Sequence, residues 1–137
     1  MNIVICGSMS ASTEMLKVGQ YLSEQGHEVV LPKNADKYAS LELSAESSHE
    51  STQNKIDHDL IKGYYMLIKA SDVVVIVNAD KGDKRNYVGG NTFLEAGFAH
   101  VLDKKLYFLN DIGKSSYGDE LRAMQPIILN RDLSKIQ

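Results

Sequence analysis

Short apolar runs alternate with longer amphipathic segments along this chain, and the alternation predicts strands and helices in turn. Five runs rich in Val, Ile and Leu predict strands at Ile3–Cys6, Val29–Leu31, Val73–Val77, Leu106–Leu109 and Ile127–Leu129. Apolar residues at helical spacing predict a first helix from Ser12 to just before Gly26, and further helices over about Gln53–Lys69, Thr92–Leu102 and Asp119–Met124. The polar segment Lys33–Gln53 shows neither period and is predicted to be a long loop, mobile or acting as a lid.

Strands that alternate with helices imply right-handed crossovers and a parallel sheet. We therefore predict one α/β domain over residues 1–137, doubly wound in the flavodoxin or Rossmann manner around a five-stranded parallel sheet. The run Val73–Val77 is apolar without alternation, which is typical of a central strand covered on both faces. Ligands of such sheets bind beyond the carboxyl ends of the strands, so the turns after Cys6, Val77 and Leu109 are expected to meet at the site.

Composition and charge remove several classes of function. The formal net charge is −3 and the pI is about 5.8, so there is no basic field that would attract a nucleic acid polymer. No apolar run approaches the roughly 20 residues that cross a bilayer, and the segment before Gly7 is too short for a signal peptide. The single cysteine, Cys6, cannot form an internal disulfide. We expect a soluble, cytoplasmic protein that binds no membrane.

Two glycine-containing turns at the predicted ligand edge are candidate binding segments. The first follows the opening strand and offers backbone N–H groups and hydroxyls, although a purely structural turn fits the same residues. The second precedes a helix, whose N-terminal N–H groups and dipole can hold an anion or a sugar hydroxyl. With the residue after the central strand, the substrate-binding candidates are Gly7, Ser8, Met9, Asn78, Gly89, Gly90, Asn91 and Thr92.

Glu95 follows the second turn and has two interpretations. Thr92 and Glu95 have the spacing of a capping box, in which the glutamate bonds back to the N–H of Thr92 and does no chemistry. A carboxylate one turn inside a helix that begins at the ligand edge can equally act on a bound substrate. The residues alone leave both interpretations open.

Three segments carry a resemblance to a known family. They are Cys6-Gly7-Ser8, Ser71-Asp72-Val73-Val74-Val75, and the pattern Gly-Gly-x-x-x-x-Glu-x-Gly-x-Ala from Gly89 to Ala99. Together they resemble the nucleoside 2-deoxyribosyltransferase family, including its 2′-deoxynucleoside 5′-monophosphate N-glycosidases. The resemblance implies that Glu95 is the nucleophile: it attacks C1′ of the deoxyribosyl group, expels the base and forms a covalent glycosyl ester. It also implies cleavage or transfer of the N-glycosidic bond of a 2′-deoxynucleoside or its 5′-monophosphate, without a cofactor.

The same resemblance implies a homo-oligomer, at least a dimer, whose sites a neighbouring subunit completes. Tyr64 and Tyr65 are expected to add aromatic surface to a helix that a small sheet does not fully cover. Phe93 stands where the family often has glycine, and the first strand lacks the family's tyrosine.

A retaining glycosidase mechanism needs a second acidic group beside the nucleophile. Asp57 and Asp59 lie near the start of the helix before the central strand, and Asp59-Leu60 matches the family's Asp-Leu pair in type but not in spacing. The resemblance implies that Asp59 is the catalytic partner of Glu95, while a solvated carboxylate at a helix start fits the same residue. Asp72 is expected at the opposite edge, bonded to backbone. His58 lacks partners at ligand spacing, so no metal is assigned.

Two other classes of function remain open. One is a non-catalytic nucleotide-binding or sensor domain on the same fold, which the substitution at Phe93 and the missing tyrosine favour. The other is a small flavodoxin-like interaction protein, although no convincing flavin phosphate loop is present.

Overall fold

All five predicted strands lie in one sheet and run parallel. The computed structural model describes residues 1–33, 35–36 and 59–137 of the chain. The strands are β1 Asn2–Cys6, β2 Glu28–Val30, β3 Val73–Ile76, β4 Lys105–Phe108 and β5 Ile127–Ile128. Their order is β2-β1-β3-β4-β5, which is the doubly wound, flavodoxin-like arrangement. The prediction of the fold class is therefore confirmed.

The helices follow the strands as the alternation predicts. They are α1 Ser12–Glu24, α2 Leu60–Lys69, α3 Gly90–Val101 and α4 Gly118–Ala123, with short 3-10 turns at Met9–Ala11 and Leu133–Lys135. Helix α2 begins later than predicted, because Asp59 adopts a left-handed conformation, with φ of 48°, that does not continue a helix. The earlier part of that prediction, with Asp57 and His58, lies outside the described residues, as does most of the predicted loop.

The sheet separates two apolar cores, one on each face. Helix α1 and the second 3-10 turn cover the first, which we call the α1 core; it includes Ile3, Ile5, Met15, Val18, Leu22, Val73, Val75, Tyr107 and Leu109. Helices α2 to α4 cover the second, the α2–α4 core; it includes Val4, Cys6, Ile68, Val74, Ile76, Ala96, Ala99, Phe108 and Leu121. Every residue of β3 is buried, as predicted for a central strand, and Cys6 is a buried strand residue.

Helix α2 leaves part of its apolar surface uncovered. Ile68 is fully buried, and Tyr64 packs partly against the α2–α4 core. Leu60, Ile61 and Leu67 are 36%, 40% and 41% exposed, since one short helix directs only a narrow stripe at the sheet. Among the helices in the described ranges, none is both long and apolar enough to cross a membrane.

Candidate active site

The turn after β1 approaches the end of β3 closely enough to require glycine. A Cβ atom on Gly7 would lie 2.9 Å from Sδ of Met15 and 3.0 Å from the carbonyl oxygen of Val77. Ser8 and Met9 follow at the carboxyl edge of the sheet, and both are partly exposed. The Ser12 hydroxyl donates to the Met9 carbonyl oxygen at 2.5 Å, which ties this turn to the start of α1. The predicted binding turn is therefore a fixed backbone segment.

The second predicted turn forms the start of α3. Gly89 is the N-cap, and no side chain caps the helix, so its first N–H groups are not taken up by a capping side chain. Gly90 and Asn91 are exposed, whereas Thr92 is buried. A backbone turn of this kind presents N–H donors to an anion or a hydroxyl.

Two tyrosines border this turn, and the sequence did not indicate either of them. A Cβ atom on Gly89 would lie 3.2 Å from the Tyr87 hydroxyl oxygen, and one on Gly90 would lie 3.6 Å from that of Tyr117. The ring of Phe93 stacks on Tyr117 with centroids 4.4 Å apart and planes 5° apart. The bulky residue at position 93 is therefore packed against a neighbouring ring.

Among the residues that the structure describes, Glu95 is the one buried carboxylate. It is the sixth residue of α3 and only 6% exposed. The capping-box interpretation is wrong, because the helix begins at Gly90 and Thr92 is its third residue instead of its N-cap. Burial raises the pKa of the Cys6 thiol, and the charge of Glu95 raises it further. The carboxylate of Glu95 therefore lies towards the carboxyl end of β1.

Tyr64 brings a phenol to the same place. Its hydroxyl donates to the carbonyl oxygen of Ile5 in β1, across the interface between α2 and the sheet. Burial, then Cys6, then Glu95 raise the pKa of Tyr64 well above its ordinary value, so the phenol stays protonated. Tyr64 packs partly against the α2–α4 core, so only part of its ring can add to the outer aromatic surface. Although β1 contains no tyrosine, α2 supplies one whose hydroxyl reaches β1.

Asn78 links the ends of two strands. It is fully buried, and its Nδ2 group donates to the carbonyl oxygens of Asn110 and Asp111 at 2.8 and 3.0 Å. Its Oδ1 atom accepts the N–H of Asn110 at 2.9 Å. Both N–H donors of the carboxamide are thus used by protein carbonyls. The structure gives Asn78 a role in joining β3 to β4, where the sequence suggests a ligand contact.

Asp59 and Asp72 lie at opposite edges of the sheet. Asp59 is the N-cap residue of α2, at the carboxyl edge of the sheet, and its side chain is exposed without a capping hydrogen bond. Asp72 lies at the amino edge, where its Oδ2 atom accepts the N–H of Asn2 at 2.8 Å, as predicted. Asp59 therefore shares the edge with Glu95 and both glycine turns.

Comparisons with solved structures show which known fold this chain resembles. No protein-family model matches the chain, and a search of curated proteins finds no significant match. Among solved structures, the chain is similar to the CMP N-glycosidase BcmB of Clostridium botulinum, with a TM-score of 0.54 and 19% sequence identity. The match covers 99% of this chain and 98% of that one. At this identity the likeness shows a shared fold over the whole length.

Proposed function

We propose that this protein cleaves the N-glycosidic bond of a nucleoside 5′-monophosphate and that Glu95 is the nucleophile. The observation that carries the proposal is the position of Glu95, a carboxylate 6% exposed, in the second turn of the helix that begins at Gly89-Gly90. Burial of a carboxylate is costly, and such groups at a ligand edge are enriched in chemical roles. The fold shared with a CMP N-glycosidase supports the same reaction class.

The reaction we propose proceeds in two displacements at C1′. A carboxylate oxygen of Glu95 bonds to C1′ while the bond from C1′ to the base nitrogen breaks, and the base leaves with the electron pair and takes up a proton. Water then attacks C1′, which frees the sugar phosphate and restores the carboxylate of Glu95. Asp59, at the same edge, is our candidate for the second acidic group.

The start of α3 supports a phosphorylated substrate. Its N-terminal N–H groups have no side-chain cap, and they attract an anion through their donors and the helix dipole. The turn after β1, with the Ser8 hydroxyl, lies at the same edge and is our candidate for holding the sugar and 5′ group. The resemblance noted in the sequence favours a 2′-deoxyribose, whereas the solved neighbour is named for CMP, a ribonucleotide.

Nucleotides are expected to stabilise the protein more than the matching nucleosides. A ligand that binds only the folded state, at 100 times its Kd, adds about 2.7 kcal/mol to the free energy of unfolding. Thermal unfolding with CMP, dCMP, cytidine and deoxycytidine, and with the purine counterparts, measures this. We expect the deoxynucleotides to raise Tm most; the reverse order of the two sugars would assign a ribonucleotide substrate. No stabilisation by any member of the panel would contradict the proposal and favour an interaction protein.

Chromatography of the same mixtures for free base tests the reaction itself. Base in molar excess over protein is the expected result.

A second candidate function, a nucleotide sensor, is favoured by the stacked Phe93 and Tyr117 rings beside the turn. Stabilisation by a nucleotide that stays intact would support the sensor and contradict cleavage.

We also propose that the protein is at least a dimer, with α2 and α3 at the contact. These adjacent helices carry exposed apolar side chains, which are Leu60, Ile61, Met66 and Leu67 on α2 and Leu94 and Val101 on α3. Leu94 and Val101 also line a groove of about 280 Å³. Tyr65 lines this groove and meets Phe98 edge to face, at 5.2 Å between centroids. Since α3 also carries Glu95, a second copy on this surface would lie beside the site.

A charge on this surface is expected to separate the copies. Val101 is 76% exposed, so Val101→Lys should leave the folded chain intact while it places an ammonium in the apolar contact. Gln20→Lys introduces the same charge on α1, across the sheet, and is the matched control. Light scattering should give a dimer or larger for the wild type and the control, and a monomer for Val101→Lys. A monomeric wild type would contradict the proposal.

A further inference from the structure

A second cavity opens at the carboxyl edge of the sheet, and none of the candidate active-site residues lines it. Its volume is about 450 Å³, within the range of small-molecule sites. The loops after β3, β4 and β5 and the first turn of α1 form its walls; the lining residues are Glu14, Ala79, Asp80, Arg85, Asn86, Asn110 and Arg131.

The charged groups of this cavity differ in how far the protein already uses them. Arg131 forms an ion pair with Glu14 and donates to Oδ1 of Asn110 at 3.5 Å. Asp80 accepts the backbone N–H of Asn86 at 2.9 Å. Within the part of the chain that the structure describes, the guanidinium of Arg85 has no hydrogen bond or ion pair. Arg85 is therefore the cation that remains available to a ligand.

The loop after β4 packs closely against the backbone at Arg85. A Cβ atom on Gly113, in the loop after β4, would lie 2.5 Å from the carbonyl oxygen of Arg85. Only glycine allows so close an approach without displacement of one loop. Asn86 adopts a left-handed conformation, with φ of 51°, and its N–H is bonded to Asp80. These contacts fix the loop on which the free guanidinium lies.

The cavity lies towards the face of the sheet opposite to Glu95. Glu14 belongs to α1, whose buried residues form the α1 core, whereas Glu95 belongs to α3, whose buried residues form the α2–α4 core. The fully buried side chain of Asn78 joins the strand ends between them. A ligand in this cavity therefore contacts a different set of groups from a substrate at Glu95.

We infer that this cavity is a second binding site, for a small polar metabolite that carries one oxyanion group, with Arg85 as the residue that binds the anion. The planar guanidinium suits a carboxylate or a phosphate, since it donates two parallel hydrogen bonds. The lining holds two arginines and two carboxylates, and only Arg131 and Glu14 are paired with each other. Arg85 can therefore bind one oxyanion group without displacing that pair. The carboxamide of Asn86 is placed to contact the polar body of the ligand.

Titration of the whole protein with inorganic phosphate and with acetate, followed by ¹⁵N NMR, tests this inference. Saturable shifts are expected for the side-chain signals of Arg85 and Asn86 with at least one anion. The anion that binds more tightly shows whether the site prefers a phosphate or a carboxylate group. Arg85→Gln should weaken this binding about tenfold or more, because a hydrogen-bonded charge is lost. Arg122→Gln, at an exposed arginine of α4, is the matched control and should not change it.

The test also separates this site from the proposed active site. A response confined to the backbone signals of Gly89 to Thr92 would overturn the inference, as would shifts that do not saturate or that persist in Arg85→Gln. Protein with Glu95→Gln should bind the anions at Arg85 as the wild type does. A failure of the proposed reaction would therefore leave this result unchanged, and a failure here would leave base release unchanged.

Discussion

Protein with Glu95→Gln is expected to release base at least about a thousandfold more slowly than the wild type, because an amide cannot form the glycosyl ester. Glutamine has nearly the same size and helix propensity, and α3 is capped at Gly89, so the exchange removes no cap. We therefore expect Tm to change little and nucleotides to stabilise the variant still. Initial rates of base release, with unfolding curves of the same preparations, give both quantities.

A matched exchange elsewhere separates the role of the carboxylate from a general effect of charge. Glu120 is exposed on α4, and Glu120→Gln removes the same charge away from both glycine turns. Its rate should equal that of the wild type. Folded Glu95→Gln protein that binds nucleotide and releases base at the wild-type rate would end the assignment of the nucleophile.

Asn78→Leu is expected to lower the free energy of unfolding by about 2–3 kcal/mol. The exchange keeps most of the side-chain volume but removes three hydrogen bonds to the backbone of Asn110 and Asp111. Each lost bond that leaves a buried group unpaired costs on the order of 1 kcal/mol. For a chain of this length the loss corresponds to a Tm lower by about 5–10 °C. Denaturant unfolding gives the free energy directly.

Asn91→Ala is the control for this prediction, because Asn91 is exposed at the start of α3. It should change stability by no more than about 0.5 kcal/mol, while it weakens nucleotide binding if the turn holds the substrate. An Asn78→Leu protein that is as stable as the wild type but does not bind nucleotide would contradict this structural role. It would support the ligand contact that the sequence suggests for Asn78.

The periodicity of the chain was sufficient to predict the architecture. The apolar run of β3 indicates a strand that is buried on both faces. Because helices of period 3.6 stand between such runs, only a few topologies of the sheet are possible. Element ends were predicted less well, because they depend on single backbone conformations. Asp59, with its left-handed φ, is the N-cap of α2, and Gly89 caps α3 three residues before Thr92, which is the N-cap in the capping-box pattern.

The candidate site was predictable only where it follows strand ends. The turns at Gly7 and Gly89 and the carboxylate of Glu95 lie at the carboxyl ends of the strands, where ligands of doubly wound sheets bind. The hydroxyls of Tyr64 and Tyr117 come from other elements, and no local spacing connects them with β1 or α3. Tyr87 lies only two residues before Gly89, but the sequence does not show that its hydroxyl turns back to that glycine. The role of Asn78 depends on which carbonyls stand opposite it in the folded sheet, and that pairing is long-range.

The configuration of the product at C1′ tests the central claim most directly. A nucleotide that the protein cleaves is incubated with it in the presence of methanol, and NMR identifies the anomer of the methyl glycoside formed. Attack by Glu95 followed by attack of methanol inverts C1′ twice, so our account predicts that the configuration of the substrate is retained. A methyl glycoside of inverted configuration would mean a single displacement and would contradict a covalent intermediate on Glu95.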